Sequence, residues 1–454
     1  MIQFLMMMAL LQAEPVDLLI RGGTVVTMDR EMRVLAGGSV AIRGDRIAQV
    51  LAAGEPLPEA RQVVDATGHL VIPGLVNSHG HAPMVLLRGV ADDMKLMEWL
   101  NDFIFPAEAK NVDKEFVYWG TLLAGIEMAL GGTTTFTDMY YFEEEVARAT
   151  DRIGLRGVLG QTIIGFPAPD YKTTDQALAG TEAFLRQYQD HPRVIPSVAP
   201  HALYTTDMDV IRRARELALK YQVPFQMHAH ESPQEDEAVK QKMGMTTVPA
   251  LERAGVLGPG MILHHVITLT DEDIGTLARH RVGVSHNPES NMKGASGLAR
   301  APDLLAAGIA VGLGTDGPAS NNNLDMFEEM DTAAKVHKLY RGDPTVMPAP
   351  VVFRMATIGA AEALGLSDDI GSLEAGKLAD IVLIDLDRPE LTPLYDVYSH
   401  LVYVVKGPHV KSVLVGGEFV VRDRQVLTVD VEEVMAKARE IQARIVKSLG
   451  LEVR

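Results

Sequence analysis

The sequence predicts an α/β fold in which a (β/α)₈ barrel of the TIM type carries a small β-sandwich domain formed from both chain termini. Three observations lead to this prediction. Apolar strand-like segments alternate with longer helical patterns through the middle of the chain, which is typical of a parallel sheet. Both ends are instead rich in β-branched runs separated by turns. Histidine and aspartate recur where the middle strands end.

The predicted small domain comprises residues 1–73 and 366–454. Glycine-containing pairs separate β-rich runs at Gly22-Gly23 and Gly44-Asp45 near the N terminus, and Gly416-Gly417 does the same near the C terminus. Such pairs between β-branched runs are typical of hairpins. Because chain termini often lie close together, we expect the two ends to form one domain.

Residues 1–13 stand apart from this domain. Phe4–Leu11 is an apolar run followed by the small residue Ala13, which resembles a short signal segment, although no Lys or Arg precedes it. The segment is therefore either a tail or a signal, and we expect a cytoplasmic protein, with export as the alternative. No membrane span is expected, because the sequence has no run of about 18 apolar residues.

The predicted barrel comprises residues 74–365. An open, doubly wound sheet is the rival arrangement. That rival would be favoured by a glycine-rich phosphate loop after the first strand, which the sequence lacks. A closed barrel of strand–helix units also suits a segment of this length. The predicted strands begin at Leu70, Gly132, Gly154, Val194, Pro224, Met261, Val282 and Ala310.

The composition limits the chemistry that the protein can perform. Lys plus Arg number 42 and Asp plus Glu number 60, so the formal charge is −18 and nucleic acid is not an expected partner. The chain has no cysteine, which excludes disulfides, thiolate nucleophiles, iron–sulfur clusters and zinc sites that need sulfur. Any metal ion must therefore be held by carboxylates and by some of the 14 histidines.

Six of the eight predicted barrel strands end in histidine or aspartate. Active sites of such barrels lie at the carboxyl ends of the strands, so these side chains are expected to converge. A random scatter of 14 histidines over 454 residues would not produce this arrangement. The strand-end residues are His79 and His81, His201, His228 and His230, His264 and His265, His286, and Asp316.

His79 and His81 are predicted to bind the same metal ion from one side. They alternate along an extended segment, so both imidazoles point to the same face. A third histidine and an aspartate at other strand ends raise this pair above a chance occurrence of two surface histidines. His228 is favoured as a further ligand, partly on the family resemblance given below, and Glu231 is placed beside it as a proton shuttle. The alternatives for His230 are that it is the ligand instead or that it is a packed residue that points outward.

Two other strand ends leave alternatives open. His264 and His265 are adjacent in a strand, so only one of them is expected to face the barrel interior. Asp316 follows an apolar run, and its alternative role is to cap the next helix.

Five segments of the chain together resemble the amidohydrolase superfamily. Within it they are similar to the branch of 5′-methylthioadenosine and S-adenosylhomocysteine deaminases, which is related to triazine hydrolases and guanine deaminases. The resemblance covers nearly the whole chain after about residue 16. The segments are PGLVNSHGHAPMVLLRGVADDMKLMEWL (73–100), HAHES (228–232), VSHNPESNMK (284–293), GLGTDGPASNN (312–322) and GSLEAGKLADIVLID (371–385).

The resemblance implies one divalent metal ion per subunit. Zinc is expected, and Fe²⁺ is compatible with the same ligands. Gly80 departs from the family, which commonly has threonine there, and we expect little effect because this residue points away from the metal. The implied metal ligands are His79, His81, His228 and Asp316, and the implied catalytic residues are Glu231, His265 and Asp316.

The resemblance also implies hydrolytic deamination of an adenine nucleoside such as 5′-methylthioadenosine, adenosine or S-adenosylhomocysteine. Water activated by the metal would attack C6 and ammonia would leave. Residues 157–185 contain no arginine, which disfavours the amino-acid tail of S-adenosylhomocysteine. The implied substrate-binding residues are Trp99, Glu108, His201 and Ser320, with Glu108 on the ribose hydroxyls.

Other functions are weighed against this one. A deaminase or dechlorinase of a free base or triazine, such as guanine, 8-oxoguanine or an s-triazine, is the alternative within the fold, although Glu108 would then lack its ribose partner. The predicted substrate-binding residues also have purely structural alternatives. Trp99 would then be a core residue, and Glu108 would be a solvated helix residue. A non-catalytic scaffold would lack ligands or the shuttle, and none is missing. The expected partner is a small nucleoside or heterocyclic amine, and the chain is expected to form a homo-oligomer.

Overall fold

A computed structural model describes residues 14–451 of the chain. Residues 1–13, for which a tail or a signal is predicted, lie outside the described residues. Two separate sheets organise the described part, one of eight strands and one of nine. Among the helices of this part, none has both the length and the apolar character needed to cross a membrane.

The strands follow the predicted pattern closely. Seven of the eight barrel strands begin within two residues of their predicted starts. The strands are β1 (Val16–Val26), β2 (Val34–Arg43), β3 (Arg46–Leu51), β4 (Ala60–Asp65), β5 (His69–Pro73), β6 (Leu75–Asn77), β7 (Thr133–Tyr140), β8 (Arg156–Ile163), β9 (Val194–Pro200), β10 (Phe225–Ala229), β11 (Met261–His265), β12 (Gly283–His286), β13 (Val311–Leu313), β14 (Ile381–Asp385), β15 (Val410–Val415), β16 (Glu418–Arg422) and β17 (Gln425–Val426).

Helices separate the barrel strands, as the alternation predicts. Short 3₁₀ helices occur at Ala82–Leu87, Pro389–Leu391 and Gly407–His409, and a π-helical segment (Trp99–Ile104) joins the first two α-helices. The α-helices are α1 (Leu96–Glu98), α2 (Phe105–Asn111), α3 (Lys114–Leu130), α4 (Glu143–Ile153), α5 (Thr174–Tyr188), α6 (Met208–Tyr221), α7 (Pro233–Met243), α8 (Thr247–Arg253), α9 (Asp271–His280), α10 (Pro288–Lys293), α11 (Ala301–Ala306), α12 (Met326–Arg341), α13 (Ala349–Met355), α14 (Ile358–Leu364), α15 (Val397–Tyr403) and α16 (Val431–Leu449).

The smaller unit is a mixed sheet with strand order β17-β16-β15-β14-β5-β1-β2-β3, and β4 pairs with β1. The antiparallel pair β5–β14 joins the N-terminal strands to the C-terminal strands, with Pro73 opposite Ile381. Leu18 and Ile42 from one end and Leu414 from the other are buried in a single cluster with Ile381. The prediction of a small β unit built from both termini is therefore confirmed.

The larger unit is a barrel of parallel strands. Its strands β6 to β13 lie side by side in chain order, and each pairs in parallel with the next. The two ends of this series meet, because Ser78 N donates to Leu313 O at 2.9 Å and Asp316 N donates to His79 O at 3.1 Å. The predicted (β/α)₈ barrel is thus confirmed, with the His79 and Asp316 backbones bonded at its seam.

One predicted strand is in fact two. The apolar segment from Leu70 contains β5, which belongs to the smaller sheet, and β6, which begins the barrel. Gly74 lies between them, and a Cβ there would come within 2.0 Å of the Thr134 hydroxyl oxygen. The chain passes between the two sheets at a point where no side chain fits, and a continuous apolar run gives no sign of this.

The division of the chain at residues 73 and 365 stays a prediction. The change of sheet falls between Pro73 and Leu75. Helices from the last segment, however, pack on the barrel: α16 contacts α2 and α3, and α15 contacts α12 and α13. The Arg444 guanidinium also donates to Asp113 Oδ2 at 2.8 Å, which ties α16 to the start of α3.

A candidate metal centre in the barrel mouth

Four predicted ligands converge at the carboxyl ends of the barrel strands. His79 and His81 follow β6, His228 lies in β10, and Asp316 follows β13. Asp316 Oδ1 lies 3.3 Å from His79 Nε2 and 3.4 Å from His81 Nε2. His81 Nε2 lies 3.3 Å from His228 Nε2. The structure therefore brings together three imidazoles and one carboxylate that are far apart in sequence.

Backbone carbonyls fix the tautomers of two of these imidazoles. His81 Nδ1 lies 2.7 Å from the Met139 carbonyl oxygen, and His228 Nδ1 lies 3.0 Å from the His201 carbonyl oxygen. A carbonyl oxygen only accepts, so each Nδ1 must carry the proton and each Nε2 presents a lone pair. Two lone pairs that face one another at 3.3 Å repel unless a positive charge lies between them.

This arrangement fits a divalent cation. Neither ring nitrogen of the buried His79 has a hydrogen-bond partner among the described residues. The candidate ligand atoms of His79, His81 and Asp316 all lie within 4.8 Å of one another. Three neutral imidazoles and one carboxylate also suit a site that keeps a position open for water. The residues present could therefore hold a metal ion.

The protonation states agree with this use. Burial lowers the pKa of His79 to about 3 and also lowers the pKa values of His81 and His228. The imidazoles are therefore neutral, which is the form that binds metals. Burial alone would raise the pKa of Asp316, but the neighbouring His79 ring outweighs burial and holds it well below its usual range.

Hydroxyl groups hold the second oxygen of Asp316. Ser290 Oγ lies 2.6 Å and Ser320 Oγ 2.9 Å from Asp316 Oδ2, while Gly317 N donates to Oδ1 at 2.7 Å. Asp316 itself has a left-handed backbone, with φ of 62°. The hydroxyl contacts leave Oδ1 turned toward His79 and His81, so its role is not that of a simple helix cap.

Glu231 lies beside this cluster at the end of β10. Its Oε1 atom is 4.0 Å from His265 Nε2. Burial raises the pKa of Glu231 to about 7, which suits a carboxyl group that gives and takes protons near neutral pH. Helix α7 begins directly after it, capped by Ser232, and the Glu231 N–H donates to Glu235 Oε2 at 2.6 Å.

His230 lies outside the ligand cluster, which removes the alternative that it replaces His228. Its Nδ1 atom is 2.8 Å from Asp236 Oδ1, and its Nε2 accepts from Val248 N at 3.1 Å. Its φ of 54° turns the chain at the end of the strand. The fixed ring holds this turn, so that the next residue, Glu231, lies beside the cluster.

The prediction that only one of His264 and His265 faces the barrel interior is wrong. The ring centroid of His264 is 3.9 Å from that of His79, and the ring centroid of His265 is 5.2 Å from it. His265 has φ of 71°, so the alternation of strand side chains stops at this residue. His265 Nδ1 is 2.9 Å from Asn291 Oδ1, and its Nε2 is turned toward Glu231.

One cavity connects the cluster to the predicted substrate-binding residues. Neither Lys nor Arg is among the described residues that line it. Its lining combines aromatic and apolar side chains with three of the four candidate ligands, which is typical of a small-molecule site. Its lining includes His81, Trp99, Glu108, Tyr140, Tyr141, His201, His228, Glu231, Asp316 and Ser320.

Glu108 is buried, which contradicts the alternative of a solvated helix residue. It is 4% exposed, and Tyr140 Oη donates to Glu108 Oε1 at 2.7 Å. Burial raises the pKa of Glu108 to about 7. Trp99 both lines the cavity and packs against the core, and its indole N–H donates to Ala91 O at 3.1 Å. The indole N–H is therefore already bonded within the protein.

His201 and Ser320 line the same cavity. His201 Nδ1 lies 2.9 Å from Thr205 Oγ1, and burial lowers the pKa of His201 to about 3, so the ring is neutral. Ser320 Oγ is within reach of both Asp316 Oδ2 and Gly317 O, at 2.9 and 2.8 Å. The hydroxyl proton of Ser320 is thus already used within the protein.

Sequence reasoning missed several residues of the site. Tyr140 ends β7 and Tyr141 follows it, so a search of the strand ends that included tyrosine would have found them. Asn291, which contacts His265, and Ser290, which contacts Asp316, lie within α10. Both lie in the segment 284–293 that carries the family resemblance, but the apolar pattern of the strands does not mark them, because they lie on a helix and not at a strand end.

The chain is similar to known proteins over most of its length. A model of the amidohydrolase family matches residues 70–420. A 5-methylthioadenosine/S-adenosylhomocysteine deaminase of Syntrophus aciditrophicus is 49% identical, over 96% of this chain and 99% of its own. A 5′-deoxyadenosine deaminase of Methanocaldococcus jannaschii is 43% identical, over 88% of this chain and 95% of its own.

Solved structures are similar as well. An adenosine deaminase from Xanthomonas campestris with bound zinc has a TM-score of 0.94 at 38% identity, covering 96% of this chain and 99% of its own. An atrazine chlorohydrolase from Arthrobacter aurescens has a TM-score of 0.87 at 24% identity, covering 94% of this chain and all of its own. At that identity, the second similarity concerns the fold alone.

Proposed function

This chain belongs to the amidohydrolase family, and from that premise we propose that it is a metal-dependent hydrolytic deaminase of adenine nucleosides. Relatives that cover nearly the whole chain are named as deaminases of 5-methylthioadenosine, S-adenosylhomocysteine and 5′-deoxyadenosine. The observation that carries the proposal is one cavity that holds both the histidine–aspartate cluster and the buried carboxylate of Glu108.

The proposed metal ligands are His79, His81, His228 and Asp316. These residues would hold a divalent ion, whose chemistry would be to lower the pKa of a bound water molecule to about 7. Zinc is the proposed ion, because a related adenosine deaminase structure contains it, and Fe²⁺ suits the same nitrogen and oxygen donors. The opposed Nε2 atoms of His81 and His228 are the geometric support for this assignment.

Glu231 is the proposed proton shuttle. Its pKa, raised to about 7 by burial, allows it to hold a proton at neutral pH and also to release it. It would deliver a proton to purine nitrogen N1, which makes the neighbouring C6 more electrophilic. Having given up that proton, Glu231 would take one from the water that adds to C6 and pass it to the exocyclic nitrogen, so that the C6–N bond breaks and the amine leaves as ammonia. The proton left on the C6 hydroxyl would then return to Glu231, which leaves a carbonyl at C6.

His265 and Asp316 complete the proposed catalytic set. Asn291 Oδ1 accepts from His265 Nδ1, so the ring is oriented with Nε2 toward Glu231. Burial lowers the pKa of His265, but the charges of Glu231 and Asp316 outweigh burial and raise it, so Nε2 can donate to an oxygen forming at C6. Asp316, held by two serine hydroxyls, would accept a hydrogen bond from the attacking water and orient it.

Glu108 is the proposed recognition element for the ribose. Its carboxylate can accept from both ribose hydroxyls, and the Tyr140 hydroxyl fixes its orientation. Trp99 would supply a ring face, and the neutral His201 a polar contact. Ser320 is proposed to contact the substrate only as an acceptor, because its proton is bonded to Asp316 or Gly317.

The cavity favours nucleosides without an acidic tail. Its described lining residues include no Lys or Arg that could pair with the carboxylate of S-adenosylhomocysteine. Lys172, the cation of the 157–185 segment, is bonded to the carbonyl oxygens of Ala168 and Pro169 at 2.6 and 3.3 Å. We therefore place 5′-methylthioadenosine and adenosine above S-adenosylhomocysteine as substrates.

A free-base or triazine substrate remains the alternative, and Glu108 distinguishes the two. The test is ammonia release from 5′-methylthioadenosine, adenosine, guanine and a chlorotriazine by one metal-analysed preparation. Turnover of nucleosides is expected, and exclusive turnover of a base or triazine would overturn the proposal. Self-association, the absence of a nucleic-acid partner and a cytoplasmic location stay predictions.

A further inference from the structure

The three imidazoles of the candidate centre differ in what orients them. His81 and His228 each donate from Nδ1 to a backbone carbonyl oxygen, which fixes the ring. His79 has no such bond, because neither of its ring nitrogens has a hydrogen-bond partner among the described residues. Metal-ligating histidines nearly always have a partner on their second nitrogen, so some other contact must orient this ring.

That contact is the face of His264. The two ring centroids are 3.9 Å apart, the ring planes differ by only 19°, and both residues are fully buried. The ring contacts of His79 with His81, His228 and His265 are instead edge-on, at interplanar angles of 79° to 84°. A stacked neighbour restricts how far the His79 ring can tilt, while edge-on neighbours leave that motion freer.

His264 is itself held in one orientation. Gln226 Nε2 donates to the Asp138 carbonyl oxygen at 3.0 Å and lies 2.8 Å from Ser197 Oγ, so its amide nitrogen faces these two groups. Gln226 Oε1 is therefore the atom that faces His264 Nε2, at 3.3 Å. Since an amide oxygen only accepts, His264 carries its proton on Nε2. The buried amide thus fixes both the tautomer and the plane of the His264 ring.

We propose that His264 is a positioning residue for the metal ligand His79, and that its stacked ring does for His79 what backbone carbonyls do for the other two imidazoles. This inference rests on the proposed metal site. It assigns a role to His264, which precedes the proposed catalytic residue His265 in β11. Loss of contacts that orient a ligand typically weakens metal binding by about 10–100-fold.

The test compares two substitutions that both remove the bond to Gln226. His264→Phe keeps a flat ring against His79, whereas His264→Leu fills a similar volume without one. Zinc alone is titrated into metal-free protein in competition with a chromophoric chelator. We expect His264→Leu to bind zinc about 10–100-fold more weakly than the wild type, and His264→Phe to stay within about threefold of it.

A control and a second readout separate this role from general damage to the barrel. His286 is equally buried at the end of β12, but its ring contacts His337 rather than the candidate ligands. His286→Leu should therefore leave zinc affinity within about threefold of the wild type. The visible spectrum of the Co²⁺-substituted protein should change in His264→Leu and be retained in His264→Phe, since it reports the ligand geometry.

The outcomes are distinguishable. Equal zinc affinity of the wild type and His264→Leu would overturn the inference while leaving the proposed metal site intact. Equal weakening in the Phe and Leu variants, or in His286→Leu as well, would also overturn it, because stacking would then not be the cause. If the wild type binds no zinc, both the metal site and this inference fail. If His264→Leu does not fold, a weakened His264→Phe overturns the inference and a wild-type-like one supports it.

Discussion

Glu231 and His265 lie side by side at the mouth of the barrel, with Glu231 Oε1 4.0 Å from His265 Nε2. The two side chains come from the ends of neighbouring strands. A left-handed backbone occurs at each place: at His230, directly before Glu231, and at His265 itself. Such backbone angles are uncommon outside glycine and concentrate at functional sites. The pair therefore lies where one side chain can move a proton while the other stabilises charge.

Glu231→Gln should keep the metal and lose turnover. The amide has nearly the same shape as the carboxyl but cannot exchange a proton, so kcat should fall by about 10²–10⁴-fold. The measurement is ammonia release together with zinc content on the same sample. Zinc content equal to that of the wild type is expected, and loss of zinc in this variant would mean that Glu231 is a ligand.

Glu108→Gln should weaken nucleoside turnover. Ribose hydroxyls lose a charged acceptor, so kcat/KM for adenosine should fall by about 10–100-fold, mainly through KM. Glu98→Gln is the matched control, since Glu98 is an exposed glutamate at the end of α1, ten residues earlier in the chain. Unchanged kinetics in Glu108→Gln would show that this carboxylate does not bind the ribose.

The same glutamate predicts how stability depends on pH. Burial raises the pKa of Glu108 from its ordinary value of 4.5 to about 7, so the folded state binds this proton more tightly than the unfolded state. The stability that the protonated Glu108 carboxyl contributes is fully present below pH 4.5 and is lost as the pH rises through about 7.

Glu108→Gln isolates this effect, because the amide mimics the protonated acid at every pH. Relative to this variant, the wild type should lose stability between pH 5 and 8, by at most about 3 kcal/mol. Urea unfolding at several pH values, at constant metal loading, measures the difference. A constant difference across this range would contradict a raised pKa at Glu108.

Substrate preference follows from the lack of cations in the described cavity lining. A buried carboxylate without a cationic partner is costly, so kcat/KM for 5′-methylthioadenosine should exceed that for S-adenosylhomocysteine by at least about tenfold. Both nucleosides share the adenine and ribose, so the comparison isolates the tail. Equal values would require a cation that approaches the tail from elsewhere in the chain.

Much of the site was predictable because barrel topology brings strand ends together. His79, His81, His228 and Asp316 are separated by up to 237 residues, yet each follows or ends an apolar strand that the sequence marks. Once the strands are recognised as one parallel barrel, their carboxyl ends must share one rim. The convergence of these side chains needs no further information.

The errors have local physical causes. Strand alternation predicts opposite directions for His264 and His265, but the left-handed backbone of His265 breaks that alternation at the last residue. The apolar run from Leu70 hides a change of sheet at Gly74, where contact with Thr134 leaves no room for a side chain. Both features depend on tertiary contacts, which a pattern of apolar residues does not report.

The most direct test of the account is a stepwise return of Zn²⁺ to metal-free protein, with ammonia release from 5′-methylthioadenosine measured at each step. The account predicts no turnover without metal, activity in proportion to bound zinc with a plateau at one ion per chain, and one ammonia for each nucleoside converted. Turnover by the metal-free protein, or no ammonia from protein that holds one zinc ion per chain, would contradict it.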